Sequence, residues 1–309
     1  MIDTEGAAWR QMRLLVEILP FVAREECFAL KGGTAINLFV LDLPRISVDI
    51  DLTYLPRQSH ADASAGIDGA LRRIAEMLCS VSPPYAVAEG RANDQGHIDT
   101  LTVTGRDTQV KIETNAVLRG TLHPVRKLAV RPRVEQKLGF AQMAVLADAD
   151  LYGGKLVAAL DRQHPRDLFD ALVLLERDGL TDEVFDAFLL YLAGHKGVIA
   201  HTLEPRPRRI AELFAAQFEG MAERGVTVEE LENARERLVR ALHDRIGARE
   251  RQFLLSIKRR QPDWSLVRVE GAAEWPALGW KLHNLGRMTA ERHAAAVADL
   301  EQVLERIGR

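Results

Sequence analysis

The chain has 309 residues, 41 Lys+Arg against 44 Asp+Glu for a formal net charge of −3, 47% hydrophobic and 28% charged residues. That is too apolar for a disordered chain, too poor in Pro and Gly for a fibrous one, and too near neutral for a binder that works by bulk positive charge. Length accommodates about two domains at ~100–200 residues each. No apolar run reaches the ~18 residues of a membrane span, and no signal-peptide pattern opens the chain. Cys27 and Cys79 have no metal-type spacing and read as reduced thiols. A cytoplasmic protein with no membrane partner is expected.

Residues 9–26 carry apolar positions at helical spacing, with Pro20 as a kink or break. Phe28-Ala29-Leu30 reads as a short strand running into Lys31-Gly32-Gly33-Thr34, and a helix-like apolar segment follows over 35–41. Leu43-Pro44-Arg45 marks a turn before residues 48–52, which alternate as a strand does. A helix is predicted over 62–79, then three β-like runs at 85–88, 98–104 and 109–114, the last two joined by Gly105-Arg106-Asp107. From about residue 135 the pattern turns helical, with amphipathic segments at 148–160, 166–176, 182–192, 208–222, 228–246 and 290–307. The fold class expected is α+β: a small mixed-sheet domain over 1–135 followed by a helical domain over 136–309.

Charge is uneven along the chain. Residues 1–118 hold 11 basic and 16 acidic residues, 119–137 hold six and one, and the remainder 24 and 27. The basic strip consists of Arg119, Arg126, Lys127, Arg131, Arg133 and Lys137. It reads either as a solvated linker face or as a contact for an RNA phosphate backbone.

Asp49 and Asp51 carry the chemistry. On a strand, i and i+2 share a face, so the two carboxylates lie together while Val48, Ile50 and Leu52 face the apolar side. Paired carboxylates repel unless a cation sits between them, and oxygen ligands suit Mg²⁺. Solvated strand faces also produce this pattern. Upstream, Gly32-Gly33-Thr34 stands between strand and helix start, where bare backbone N–H groups can approach an anion and Thr34 can cap the helix or reach phosphate oxygens. A tight turn with a capped helix is the plainer reading. Glu113, in a run with the same alternation, is a candidate third carboxylate, either a metal ligand or a group that helps deprotonate an attacking hydroxyl.

Two blocks together carry a family resemblance. Lys31-Gly32-Gly33-Thr34-Ala35 followed by Leu43-Pro44-Arg45-Ile46-Ser47-Val48-Asp49-Ile50-Asp51-Leu52 resembles the AbiEii/AbiGii nucleotidyltransferase toxins, a group including the MenT toxins, within the DNA polymerase β-like nucleotidyltransferase superfamily. Asp150-Leu151-Tyr152-Gly153-Gly154-Lys155-Leu156, then Arg162 and Arg166-Asp167-Leu168-Phe169-Asp170, agree with it. The resemblance implies a polymerase β-like domain and a Mg²⁺-dependent transferase, with Mn²⁺ as an alternative ion and an NTP as co-substrate. It implies that Gly32, Gly33 and Thr34 contact nucleotide phosphates, that Asp49 and Asp51 hold the metal, and that Arg45 and Ser47 flank the triphosphate. Lys155 would neutralise phosphate charge from the helical domain, and Asp167 or Asp170 would orient Lys155 or Arg166. It further implies a toxin restrained by a separate antitoxin, with tRNA 3′ ends or another RNA as acceptor.

Read without the name, Arg166, Asp167 and Asp170 form a mixed-charge helical stripe, which by itself is a solvated salt-bridged face. Two other functions stay open: nucleotidyl transfer to a protein or small-molecule hydroxyl, and a catalytically silent interaction module. His97, His123, His195 and His201 lack metal spacing with one another. Trp264, Trp275 and Trp280 read as core of the helical domain rather than base-stacking platforms. Arg206-Pro207-Arg208-Arg209 and Lys258-Arg259-Arg260 read as solvated turns, with RNA contact as a secondary possibility.

Overall fold

The computed structural model describes residues 2–91 and 96–307. The chain divides into two compact units, Met1–Ala147 with Glu219–Gly225, and Asp148–Phe218 with Val226–Arg309.

The first unit is built on a mixed seven-stranded sheet in the order β3-β4-β5-β2-β1-β7-β6. In chain order its elements are α1 (Ala7–Val22), β1 (Phe28–Lys31), the single turn α2 (Gly32–Thr34), β2 (Asp49–Tyr54), α3 (His60–Ser80), β3 (Ala86–Arg91), β4 (Ile98–Thr104), β5 (Gln109–Glu113), β6 (Arg126–Ala129), α4 (Pro132–Leu138) and β7 (Gln142–Val145). Pairing is antiparallel except for β1 with β7 and β2 with β5. The sheet's apolar residues include Leu30, Ile50, Leu52, Leu101 and Ile112, all fully buried. Pro20 is accommodated inside α1 without ending it. Segment 35–41, expected as an ordinary helix, runs as π-helix over Ala35–Val40. The first unit extends past residue 135 because β7 pairs with β1 and carries β6 at the sheet edge. These short strands escape the sequence because four residues show too few alternations to read.

The second unit is helical: α5 (Asp148–Arg162), α6 (Pro165–Arg177), α7 (Asp182–Gly194), α8 (Ile199–Leu203), α9 (Ala211–Gln217), α10 (Val228–His243), α11 (Ala248–Lys258), α12 (Pro276–Gly286) and α13 (Ala290–Ile307). Starts are fixed locally: Thr181 caps α7, and Thr227 with Glu230 makes a capping box on α10. Helix 208–222 of the sequence reading shortens to α9, because residues after Phe218 cross to the first unit. Among the described residues no helix is long and apolar enough to cross a membrane.

Gly153 on α5 faces α7 so closely that a Cβ would stand 3.0 Å from the Ala187 backbone and from Phe188 N. Two helix backbones touch here with no room for a branch. Gly153→Val is expected to lower stability by about 1–3 kcal/mol through overpacking. Thermal unfolding should show it as a drop of about 2–12 °C.

Candidate active site

In the first unit the Gly-Gly-Thr turn is shaped by what approaches it. Gly32 has φ +71°, a conformation other residues adopt only at a cost, and a Cβ there would collide with Asp51 Oδ2. At Gly33 a Cβ would lie 2.6 Å from Arg45 Nη2 and 3.1 Å from Ser47 Oγ. The two glycines therefore bring bare backbone against a carboxylate on one side and a guanidinium on the other. The Asn37 amide donates to the Gly33 carbonyl at 2.9 Å and fixes the turn.

Thr34 does not cap the helix. It is buried at 1% exposure, donates to the Asp49 carbonyl at 2.6 Å, and stands 2.9 Å from Ser47 Oγ. Its hydroxyl thus ties the turn to the entrance of β2. Arg45, only 2% exposed, donates to the Ile46 carbonyl at 2.8 Å.

A feature the sequence reading missed holds Arg45 from behind. The segment Glu219–Gly225, distant in sequence, packs in this unit through a bridge between Arg45 and Ala222. Ile46 N donates to the Met221 carbonyl at 2.8 Å, Glu223 N donates to the Pro44 carbonyl at 2.8 Å, and Arg133 pairs with Glu223. Nothing in residues 219–225 alternates or repeats, so pattern carries no sign of it.

Register sets the charges on the β2 face. Asp51 is opposite Lys31 of β1 and Glu113 of β5, and Asp49 is opposite Lys111. Register partners share a face, so three carboxylates and two ammonium groups lie on one face of three neighbouring strands. Lys111 Nζ donates to Glu113 Oε1 at 2.5 Å. That hydrogen bond, assisted by the charges of Glu113 and Asp49, raises the Lys111 ammonium above its ordinary value despite partial burial. Among the described residues no three His, Cys, Asp or Glu side chains converge as a ready metal cluster. Asp49 and Asp51 remain a two-carboxylate set, and Glu113 is engaged by Lys111. Two hard oxygen donors against bare glycine backbone fit Mg²⁺, which characteristically takes one or two carboxylates and completes its shell with water and substrate phosphates.

In the second unit Lys155, Asp167 and Asp170 come together. Lys155 Nζ is 2.8 Å from Asp167 Oδ1 and 3.0 Å from Asp170 Oδ2, and Arg162 reaches Asp167 Oδ2 at 2.8 Å. Burial pushes the Asp167 carboxyl up, but Lys155 and Arg162 outweigh it and hold the group below the usual carboxylate range. The solvated stripe read from the sequence is therefore not solvated at Asp167 and Asp170, which face the interior at 3% and 1% exposure. Arg166 sits half-buried at the start of α6, after His164 whose Nδ1 accepts from the Arg166 N–H at 3.1 Å. Asp150, from the same sequence block, accepts from the buried Tyr191 hydroxyl at 3.0 Å.

The basic strip separates into parts. Arg126 and Lys127 are exposed on the edge strand β6, and Arg131 is exposed beside it. Arg119 is not on that surface: it is buried, with its guanidinium donating to the carbonyls of Gln58 and Ala116 at 2.7 Å. Arg133 is taken by Glu223, and Lys137 stands 6.0 Å over the Trp9 ring. Trp275 is core, 1% exposed and packed on Tyr191, whereas Trp264 and Trp280 are half-buried.

A family model described as the nucleotidyl transferase AbiEii toxin of type IV toxin–antitoxin systems matches residues 13–268. Among solved structures, the chain is similar to MenT4, a nucleotidyltransferase toxin of Mycobacterium tuberculosis H37Rv, at 17% identity and a TM-score of 0.57. That match covers 98% of this chain and 94% of the other. No curated protein matches the chain.

Proposed function

The chain belongs to the AbiEii nucleotidyltransferase toxin family of type IV toxin–antitoxin systems, and from that premise we propose that it transfers a nucleoside monophosphate from an NTP to the 3′ hydroxyl of tRNA, with Mg²⁺ as its metal. The observation that carries this reading is the Gly32–Asp51 juxtaposition: a left-handed glycine whose missing Cβ leaves room beside a carboxylate.

Asp49 and Asp51 are the groups to hold the ion, and Mn²⁺ would accept the same oxygens. Bound there, the ion supplies Lewis-acid polarisation of the α-phosphate and offsets charge on the departing pyrophosphate. The Gly32-Gly33 backbone lines the phosphates, with buried Thr34 fixing the turn to β2 and Arg45 and Ser47 beside it. Lys155 and Arg166 of the helical unit are proposed as further residues of the reaction, with Asp167 and Asp170 holding Lys155 in place. The acceptor oxygen forms the new bond to the α-phosphorus as the bond to pyrophosphate breaks. Glu113 either takes the acceptor proton or joins the metal ligands, once Lys111 releases it. Exposed Arg126, Lys127 and Arg131 grip RNA phosphates, with Arg133 and Lys137 adjoining. The family implies a separate antitoxin as the restraining partner.

The test is incubation with total RNA, Mg²⁺ and each labelled NTP in turn, with Asp49→Ala as control. Asp49-dependent label in tRNA is the expected result. Label in protein or in a small molecule would move the acceptor away from RNA, and no label with any NTP would overturn transfer altogether. Neutralising Arg126, Lys127 and Arg131 together should cut RNA labelling at least ~10-fold at low salt, and the deficit should narrow as salt rises, because the parent has more phosphate contacts to lose.

A further inference from the structure

We propose that Arg206-Pro207-Arg208-Arg209 and the cleft it borders form a second RNA-binding site, in the helical unit, that takes phosphates on its guanidinium groups and an unpaired base in the cleft. It rests on the RNA-acceptor reading above and adds a site that reading does not use.

The segment is held rigidly by its backbone and offers its side chains outward. Gln163, 2% exposed, donates through Nε2 to the Arg206 carbonyl at 2.8 Å and accepts from the Arg208 N–H at 2.9 Å. Arg235, buried from α10, donates to Gln163 Oε1 at 3.2 Å and to the Arg208 carbonyl at 3.0 Å. Gln163 does this from φ +52°, a left-handed conformation that is strained for a non-glycine residue. Pro205 and Pro207 fix their own φ and keep Glu204 and Arg206 out of helical conformation. A strained buried glutamine and a buried arginine are thus devoted to shaping one short surface segment.

The guanidinium groups of Arg206, Arg208 and Arg209 are spent on nothing. All three residues are exposed, and among the described residues their side chains make no ion pair or hydrogen bond. Of the two carboxylates on the same rim, Glu204 is 2.7 Å from Arg306, while Asp161 lies 3.8 Å from His195, whose imidazole burial holds toward its neutral form. Three guanidinium groups stand against one unmatched carboxylate, so the rim keeps an excess of positive charge.

Beside it opens a cleft of about 500 Å³, within the ~300–1,000 Å³ typical of small-molecule sites. Leu160, Val198, Pro205 and Pro207 give it apolar walls, and Val198 is 41% exposed there. Cations at the rim over an apolar floor match a nucleotide whose base has left its stack, with phosphates outside and ring inside. A duplex would satisfy the rim and leave the cleft unfilled. An acidic protein would meet the same cations with carboxylates, and competition with poly-glutamate separates it from RNA.

The test is fluorescence anisotropy of a labelled unpaired RNA 12-mer on the full chain, titrated with KCl, for the parent and for Arg206→Ala/Arg208→Ala/Arg209→Ala. The variant should bind at least ~10-fold more weakly, and its slope of log affinity against log salt should fall by about 2, three contacts at ~0.7 each for a single strand. The triple Lys replacement should keep most of the slope, and Leu160→Trp, which fills the cleft, should weaken the 12-mer more than a 12-bp RNA duplex. Circular dichroism should show both arginine variants folded, since no side-chain partner is removed. Unchanged affinity and slope in the alanine variant would overturn the proposal, as would equal displacement by poly-glutamate, which marks an acidic-protein surface. The RNA-acceptor reading fails separately, by labelling that goes to protein or small molecule while the arginine segment still binds the 12-mer.

Discussion

Asp51→Asn should lower nucleotidyl transfer by about 10³-fold or more, roughly 4 kcal/mol of transition-state stabilisation, without lowering thermal stability. Its side chain lies between Lys31 and Glu113 across the sheet, with Asp49 two residues away on the same face. Removing one charge there relieves like-charge repulsion and loses one attraction. Each such cross-strand pair is worth ~0.2–1 kcal/mol, so the changes offset. A carboxylate whose removal leaves stability unchanged while transfer falls acts through a ligand rather than through the fold. Addition of Mg²⁺ and a non-hydrolysable NTP should raise the melting temperature of the parent and leave that of Asp51→Asn where it was. Transfer within tenfold of the parent would remove Asp51 from the reaction. Gly32→Ala separates the two effects: it should lose activity and also about 1–2 kcal/mol of stability, because an L side chain is strained at φ +71° and collides with Asp51.

The legible parts were those where local pattern and chemistry coincide. Alternation placed Asp49 and Asp51 on the polar face of β2, and their neighbours Ile50 and Leu52 are fully buried. Helical periodicity placed α3, α5, α6, α7 and α13 to within a few residues. Less legible was anything settled by distant pairing. Arg119 belongs to a basic run in the sequence, yet only the fold shows it turned inward onto Gln58 and Ala116 carbonyls. Segment 219–225 looks like the end of a helix, and its partner Arg45 is some 175 residues away. Lys111 reads as the exposed half of a Lys/Glu strand face until parallel pairing with β2 sets it opposite Asp49. Periodicity reports which face of an element is buried; it does not report what the buried polar groups meet. Asp167 and Asp170 show the limit most clearly, since charge at helical spacing suggested solvent and a lysine twelve residues upstream on α5 takes them inward.

Lys155→Met should cost about 3–5 kcal/mol of stability, the loss expected when one member of a buried ion cluster is removed and its partners stay charged. That corresponds to a drop of roughly 6–20 °C in melting temperature for a unit of this size. The pH dependence gives the cause. In the parent, Asp167 titrates below the ordinary carboxylate range, because Lys155 and Arg162 outweigh its burial. A depressed carboxyl contributes stability above its unfolded value of about 4 and loses it only as pH falls through the folded value, so the parent should change little between pH 7 and pH 5. In Lys155→Met one of the two cations that outweigh burial at Asp167 is gone, and only the largely exposed Arg162 stands against it. A carboxyl raised by burial reverses the sign: its penalty is absent below about pH 4 and grows as pH rises toward the folded value. The variant should therefore be more stable at pH 5 than at pH 7. Asp167→Asn in the Lys155→Met background should recover much of the loss and flatten the pH profile. Melting curves at the two pH values decide it. A loss under about 1 kcal/mol, or no pH difference between parent and variant, would show that the lysine does not neutralise these carboxylates.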